Sequence, residues 1–306
     1  MIHPIPREQR KSFKTLRLPT EQWGLHLVLL LLTLGFLLPF VLVLAASFTD
    51  ASAIARDGYK LLPSQLSLEA YRVVLANPTQ LARSYGVSVF VSTVGCVTGV
   101  LVMALVAYPI SRLEFVYRVP LTIFVLLPML FNGGLVANYI FITQYLRLQD
   151  TLAVLILPGL VVPFYVLLLV SYFRALPQEL LEAARIDGAS EWRIFFQIVL
   201  PLSTPALATV GLFLLLSYWN DYFTALLYIS NRDLFPLQLL LFNILSNVQF
   251  LSSSFMQGLG SGASATLPTD PVRMALAVLS TAPLLVVFAF LQRFFIRGLT
   301  LGATKG

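Results

Sequence analysis

Charge is what this sequence has least of. Twenty Lys or Arg and 14 Asp or Glu make up 11% of its 306 residues, against about 25% in a soluble domain. Hydrophobic residues reach 58% and mean hydropathy +0.84, more apolar surface than one aqueous core hides. A water-soluble globule is excluded, and a membrane takes the surplus. The apolar runs lack period-2 alternation, which excludes an outer-membrane barrel. A single cysteine, Cys96, excludes an intramolecular disulfide and a cysteine metal cluster; inside an apolar run it reads as packing. Two histidines, His3 and His26, sit in a tail and in the first apolar run and form no metal or acid–base set. The lysines, Lys11, Lys14, Lys60 and Lys305, follow no Gly-x-x-x-x-Gly pair, so no phosphate loop exists and ATP hydrolysis is not expected of this chain. The basic residues are scattered without an aromatic surface, so no nucleic-acid partner is expected.

The charges that do occur are segregated. Residues 22–49, 84–111, 119–146, 151–173, 194–220 and 274–292 contain no Asp, Glu, Lys or Arg, and most of these intervals exceed the roughly 20 residues a helix needs to cross a bilayer. The expected fold is an all-α polytopic membrane protein with six transmembrane helices, at about 25–47, 84–110, 120–144, 151–173, 205–228 and 272–294. The first apolar run is too long for the core of a secretory signal and reads as an uncleaved span. An even number of spans puts both termini on one side. With the N-terminus inside, thirteen of the twenty Lys and Arg fall in inner segments and seven in outer ones. That bias places both ends in the cytoplasm.

Residues 234–269 also lack charge. Their apolar part, 235–245, is too short to cross, and Ser252 to Ser254 and Gly258 to Ser264 are turn and linker chemistry. A short interfacial or re-entrant helix on the outer side, followed by a loop, is expected. Pro109, Pro128, Pro158, Pro163 and the Gly133-Gly134 pair interrupt predicted spans, as static kinks or as part of a transport path.

One inner loop, 174–203, bears most of the interpretable chemistry. Pro177 suits the first turn of a helix, Glu179 and Glu182 lie near its positive end, and Gly188 after Asp187 suits a left-handed stop. Ser190 is placed to cap a second helix that runs to Pro201. Ala183, Ala184 and Ala189 leave little bulk around the bend, so another protein can approach it closely. The order Glu182-Ala183-Ala184, three residues, Gly188, nine residues, Ile198, one residue, Leu200-Pro201 resembles the signature loop of the membrane subunits of ATP-binding-cassette importers, and Asp187 and Ala189 fit its fuller Asp-Gly-Ala version. Ala107 to Arg112, Tyr218 to Phe223 and Gly298 to Gly306 resemble the carbohydrate-uptake branch, which includes the maltose and oligosaccharide permeases. Phe131 to Leu135 is similar to a subgroup associated with complex oligosaccharides.

The resemblance implies a type I, MetI-like fold in a bacterial cell membrane. It implies a cytoplasmic tail at 1–24, a first span at 25–47, an extracytoplasmic loop at 48–83, a transport domain at 84–297 containing the coupling loop 174–203, and a cytoplasmic tail at 298–306. It also implies a second permease subunit in a heterodimer, two ATPase subunits that use ATP and magnesium, an extracytoplasmic solute-binding protein and a carbohydrate substrate. No cofactor is expected on this chain. Glu182, Ala183, Ala184, Asp187, Gly188 and Ala189 would dock the ATPase; a local pair between Glu182 and Arg185 is the alternative use of that glutamate.

Asp221 stands about 24 Å along a helix that starts near Pro205, and an acid at membrane depth is expected to face water or a partner. Tyr218, Trp219 and Asn220 beside it suit a sugar, whose C–H faces stack on rings and whose hydroxyls need polar partners. The same aromatics also suit an interfacial belt, and Asn220 and Asp221 a helix cap or a contact with the neighbouring outer loop. Asn132, Asn138 and Tyr139 form a second candidate stretch of the pathway. A proton-coupled secondary transporter would have Asp221 as its carrier, and a membrane-embedded transferase or hydrolase would need a catalytic set that the sequence does not offer.

Overall fold

The structure is a computed structural model that describes residues 23–258 and 269–303, with side chains described for 23–251 and 269–289. The tail before Trp23, the linker expected at 259–264 and the last three residues lie outside the described residues. Among the described residues the chain is helical, apart from turns and one isolated antiparallel bridge between Thr49 and Leu66. Helix α1 (Trp23–Ser47) is apolar on every face and lies along α15 (Thr269–Ala303), leaving most of its surface outside the bundle. Two short helices, α2 (Ala51–Asp57) and α3 (Glu69–Val74), follow. Asp50 caps α2 by accepting from the Ser52 amide at 2.9 Å.

The axis of the molecule is α4 (Pro78–Ser111), capped by Asn77 and started by Pro78. It packs on α8 (Pro163–Arg174) and α12 (Thr204–Asn220). In lipid no hydrophobic effect drives helices together, so close packing must do it. The α4 face carries Gly95 and Gly99, where a Cβ would lie 2.6 Å from the Tyr218 ring and the Leu214 side chain respectively. Cys96 fills the same seam, with its thiol donating to the Gly211 carbonyl at 3.2 Å, which is the packing role expected of it. Met103, Ala107, Ile110, Leu169, Phe173 and Val210 close the core below.

Several of the expected spans are bent or broken. Three helices, α1, α4 and α15, are by themselves long and apolar enough to cross a membrane, and the number reaches six only if three bent pairs each count as one span. The expected third span divides into α5 (Arg118–Leu130) and α6 (Gly134–Ile140), which continues through a π turn at Phe141–Tyr145; the two parts meet at 113°. Gly134, at φ 82°, makes that break in a conformation side chains rarely adopt. The fourth divides into α7 (Leu152–Ile156) with a 3₁₀ turn at Leu157–Gly159, and α8, at 52°. Pro158 and Pro163 belong to this break: one lies in the 3₁₀ turn and the other starts α8, where its missing N–H costs nothing. The fifth stops at Asn220, and α13 (Phe223–Tyr228) is a separate helix.

Residues 234–269 also depart from expectation. Helix α14 (Leu237–Gly258) runs through Ser252 to Ser254, where turn chemistry is expected from the sequence. Serine spacing there does not break a helix whose first turns are anchored: Leu237 and Leu241 are buried against Trp219, Val272 and Leu276, and the Leu237 amide donates to the Ser88 hydroxyl at 2.7 Å. At the other end of the chain α15 carries Gly298 to Ala303 as helix, within what was expected to be a tail.

The α4–α12 seam makes a direct prediction. Gly95→Ala forces a buried ring whose hydroxyl is bonded to the Ile156 carbonyl at 2.7 Å, and overpacking of this kind costs about 1–3 kcal/mol. A lowered thermal midpoint in detergent is expected for Gly95→Ala. Gly86→Ala, on the same helix with nothing near its Cβ, is expected to leave it unchanged or slightly raised.

Candidate functional site

The loop after α8 folds as two helices at an angle. Helix α9 (Gln178–Ile186) ends in a Schellman turn: the Gly188 amide donates to the Arg185 carbonyl at 3.0 Å, and the Ala189 amide to that of Ala184 at 2.9 Å. Gly188 holds φ 78°, the left-handed stop read from the sequence. The Ser190 hydroxyl then accepts from the Arg193 amide at 3.4 Å and caps α10 (Glu191–Ile194), which continues through a π turn at Phe195–Val199 into α11 (Leu200–Leu202). Pro201 sits within this last turn, and the chain bends by 78° into α12 at Ser203.

One face of the loop is anchored and the other is free. Leu181, Ile194 and Phe195 are buried. Glu182, Ala183, Asp187 and Gly188 are exposed, Ala184 and Ala189 half-buried, and Ile186 is 86% exposed. The local pair between Glu182 and Arg185 does not form. Arg185 instead donates to Glu191 at 2.9 Å and to Glu114 at 3.0 Å, which leaves the Glu182 carboxylate free of any ion pair among the described residues.

Sequence reasoning missed the residues that fasten this loop to the bundle. Tyr108, in the last turns of α4, donates its hydroxyl to the Glu191 carboxylate at 2.5 Å and packs its ring 5.3 Å from that of Phe195. Arg112 lies over the Tyr108 ring at 4.8 Å and donates to the Gln178 side chain at 3.2 Å, while Arg174 reaches the Ile110 carbonyl at 3.3 Å. Burial opposes the charge on Glu191, but hydrogen bonds from Tyr108 and Arg185 outweigh it and hold the carboxyl below the usual range. The Glu191 hydrogen bond in turn raises Arg185 above its ordinary value. Tyr108, Arg112, Arg185 and Glu191 line a cavity of about 420 Å³ between α4 and the loop. The available signal was the Ala107 to Arg112 run, read as family resemblance without a partner.

At the far end of α12 the four neighbouring candidates separate. Tyr218 and Asp221 line a cavity of about 190 Å³ with Ser217, Thr224 and residues of the α7–α8 break, Pro158, Gly159 and Val162. Asp221 also accepts from the Thr224 amide at 3.0 Å, so it caps α13 while facing the cavity. Trp219 points the other way and donates to the Ser280 carbonyl of α15 at 3.1 Å. Asn220 is exposed and bonds within its own helix, to Leu216 at 2.9 Å. In the second stretch Asn132 accepts from the Gly134 amide at 2.9 Å and so supports the break, Tyr139 stacks on Tyr228 at 5.6 Å, and Asn138 is exposed. Neither asparagine lines the Asp221 cavity.

The two-helix loop with its left-handed stop at Gly188 is the local structure expected from the sequence motif. The profile of the family described as binding-protein-dependent transport system inner membrane component matches residues 78–301. The chain belongs to this family. It is 38% identical over 282 residues to the polygalacturonan/rhamnogalacturonan transport system permease protein YtcP of Bacillus subtilis, covering 91% of this chain and 96% of that one. It is 31% identical over 283 residues to the trehalose/maltose transport system permease protein MalG of Thermococcus litoralis, covering 90% and 94%. The fold resembles that of a chain in the crystal structure of a bacterial ABC transporter involved in the import of the acidic polysaccharide alginate, with a TM-score of 0.73 and 24% identity over 90% of this chain and 98% of that one. This permease therefore has the MetI-like ABC importer fold and is a membrane-spanning subunit of such an importer.

Two measurements test the fastening of its loop. Tyr108→Phe removes one hydrogen bond to a half-exposed carboxylate, worth about 1–2 kcal/mol, and is expected to speed amide exchange in α9 and α10 by about 5- to 30-fold. Glu191 has a lowered carboxyl pKa, so the network is complete above about pH 4.3, the ordinary glutamate value, and is lost as pH falls through the lowered one. Wild-type exchange protection in α9 and α10 is expected to hold down to that pH and to fail only in stronger acid.

Proposed function

We propose that this permease is one half of a heterodimeric pathway for carbohydrate uptake, paired with a second permease, two ATPase subunits and an extracytoplasmic binding protein. The observation that carries the reading is the 174–203 loop, with its exposed Glu182, Ala183, Ile186 and Asp187 on one side and its hydrogen bonds to the end of α4 on the other. An ATPase that closes on the exposed side displaces α9 and α10. Tyr108 and Arg112 pass that displacement to α4, and the α4–α12 seam passes it to the bundle. Gly188 keeps a side chain out of the approach and holds the left-handed turn. ATP and magnesium act in the partner ATPase.

The carbohydrate substrate is supported by relatives whose names specify polygalacturonan, rhamnogalacturonan, trehalose and maltose, and by the Tyr218–Asp221 cavity, where an aromatic ring, a carboxylate and hydroxyls lie beside broken backbone. Both termini and the 174–203 loop are assigned to the cytoplasm, following the excess of Lys and Arg on that side. The loop at 48–83 and helix α14 then lie outside.

Reconstitution with the partner proteins tests the coupling. Gly188→Trp is expected to insert normally and to abolish sugar uptake, and undiminished uptake would remove the loop from the mechanism. The orientation is tested after replacing Cys96. An impermeant thiol reagent on intact cells is expected to label Ser64→Cys and to spare Ser190→Cys, and equal labelling of both would overturn it.

A further inference from the structure

Helix α14 carries no Asp, Glu, Lys or Arg, yet it is not apolar throughout. Asn243 and Asn247 stand one turn apart on the stripe that faces a cavity of about 510 Å³ between α3, the start of α4 and the turn before α14. That volume lies within the roughly 300–1,000 Å³ typical of small-ligand sites. Asn77, Gln80, Arg232 and Phe235 complete its useful lining.

Several polar groups of the lining are open to approach from outside, Arg232 and Asn247 being exposed and Asn243 half-buried. Gln80 donates its amide nitrogen to the Arg232 carbonyl at 2.6 Å, and Asn77 accepts from the Gln80 backbone at 3.2 Å. Asn243 and Asn247 have no side-chain partner among the described residues, and the Arg232 guanidinium makes no ion pair among them. The adjacent acid, Asp233, is taken by Arg83. The cavity thus offers amide donors and acceptors without a protein partner among the described residues, one aromatic side chain and one cation outside any ion pair among them.

Amides that donate and accept suit hydroxyl groups, and the guanidinium fork matches a carboxylate with two parallel N–H bonds. A single acidic side chain from a docked protein would use the cation and leave the amides idle. A sugar acid uses both. We propose that this cavity is a subsite for a uronate unit of an oligosaccharide, with Arg232 on the carboxylate and Asn243 and Asn247 on the ring hydroxyls. The inference rests on the carbohydrate reading and on the orientation above, which put the cavity on the outer face. The Tyr222–Phe242 stack, at 5.0 Å, ties α14 to the segment that holds Asp221.

The test uses the complete importer in proteoliposomes, with trigalacturonate and its fully methyl-esterified, uncharged counterpart as probes. Arg232→Gln is expected to lower the preference for acid over ester about tenfold at subsaturating sugar, Arg232→Lys to restore part of it, and Asn243→Ala with Asn247→Ala to reduce uptake of both probes. Three outcomes overturn the proposal: an unchanged acid-to-ester ratio in Arg232→Gln, wild-type uptake confined to the ester, or an equal loss for both probes accompanied by a higher binding-protein requirement. The last would make the cavity a docking surface. If the wild-type importer moves neither these probes nor a panel of neutral oligosaccharides, the carbohydrate reading itself falls and takes this subsite with it.

Discussion

Glu191 holds the loop to the membrane bundle. One carboxylate oxygen takes the Tyr108 hydroxyl of α4 and the other takes Arg185 of α9, so the two helices of the loop and the distant end of α4 meet on a single charged group. A charge-assisted contact of this kind is short and directional. Packing alone would allow α9 and α10 to slide over the end of α4; the hydrogen bonds together with the buried Leu181, Ile194 and Phe195 do not.

What lies above the loop is shaped by the demand that backbone groups be satisfied away from water. The break at Asn132 to Gly134 is supported by the Asn132 side chain, and the opening between α7 and α8 lies against Tyr218, whose hydroxyl satisfies the Ile156 carbonyl. The cost of interrupting a membrane helix is thus met by side chains of other elements or of the turn itself. The return is a polar recess, lined by Asp221, Ser217 and Thr224, where a continuous helix would have presented only side chains. Small residues on α4 serve the same end, because Gly95 gives the Tyr218 ring its place.

Helix α14 depends on its packing against other elements rather than on its own sequence. Trp219, Leu237, Leu241 and Val272 form a satellite core, and the Trp219 indole is bonded to α15. A residue grouped by sequence proximity with Tyr218 and Asp221 therefore supports a different element. Proximity along a helix implies a common face only at three- and four-residue spacing, and Trp219 is one step from Tyr218.

Composition and charge spacing were enough to establish a helical membrane protein, because a bilayer penalises charge so strongly that its absence over 20 residues is informative. The loop pattern from Glu182 to Pro201 was enough to identify the family and to predict the Gly188 stop, since left-handed backbone and helix caps are set by neighbouring residues. Hydropathy could not show where the spans bend, because it averages over windows longer than the Gly133-Gly134 and Pro158–Pro163 breaks. Nor could the sequence pair Tyr108 with Glu191, separate Trp219 from Asp221, or carry α14 through three serines. Each of those depends on which surfaces meet across distant parts of the chain, and only packing in three dimensions decides that.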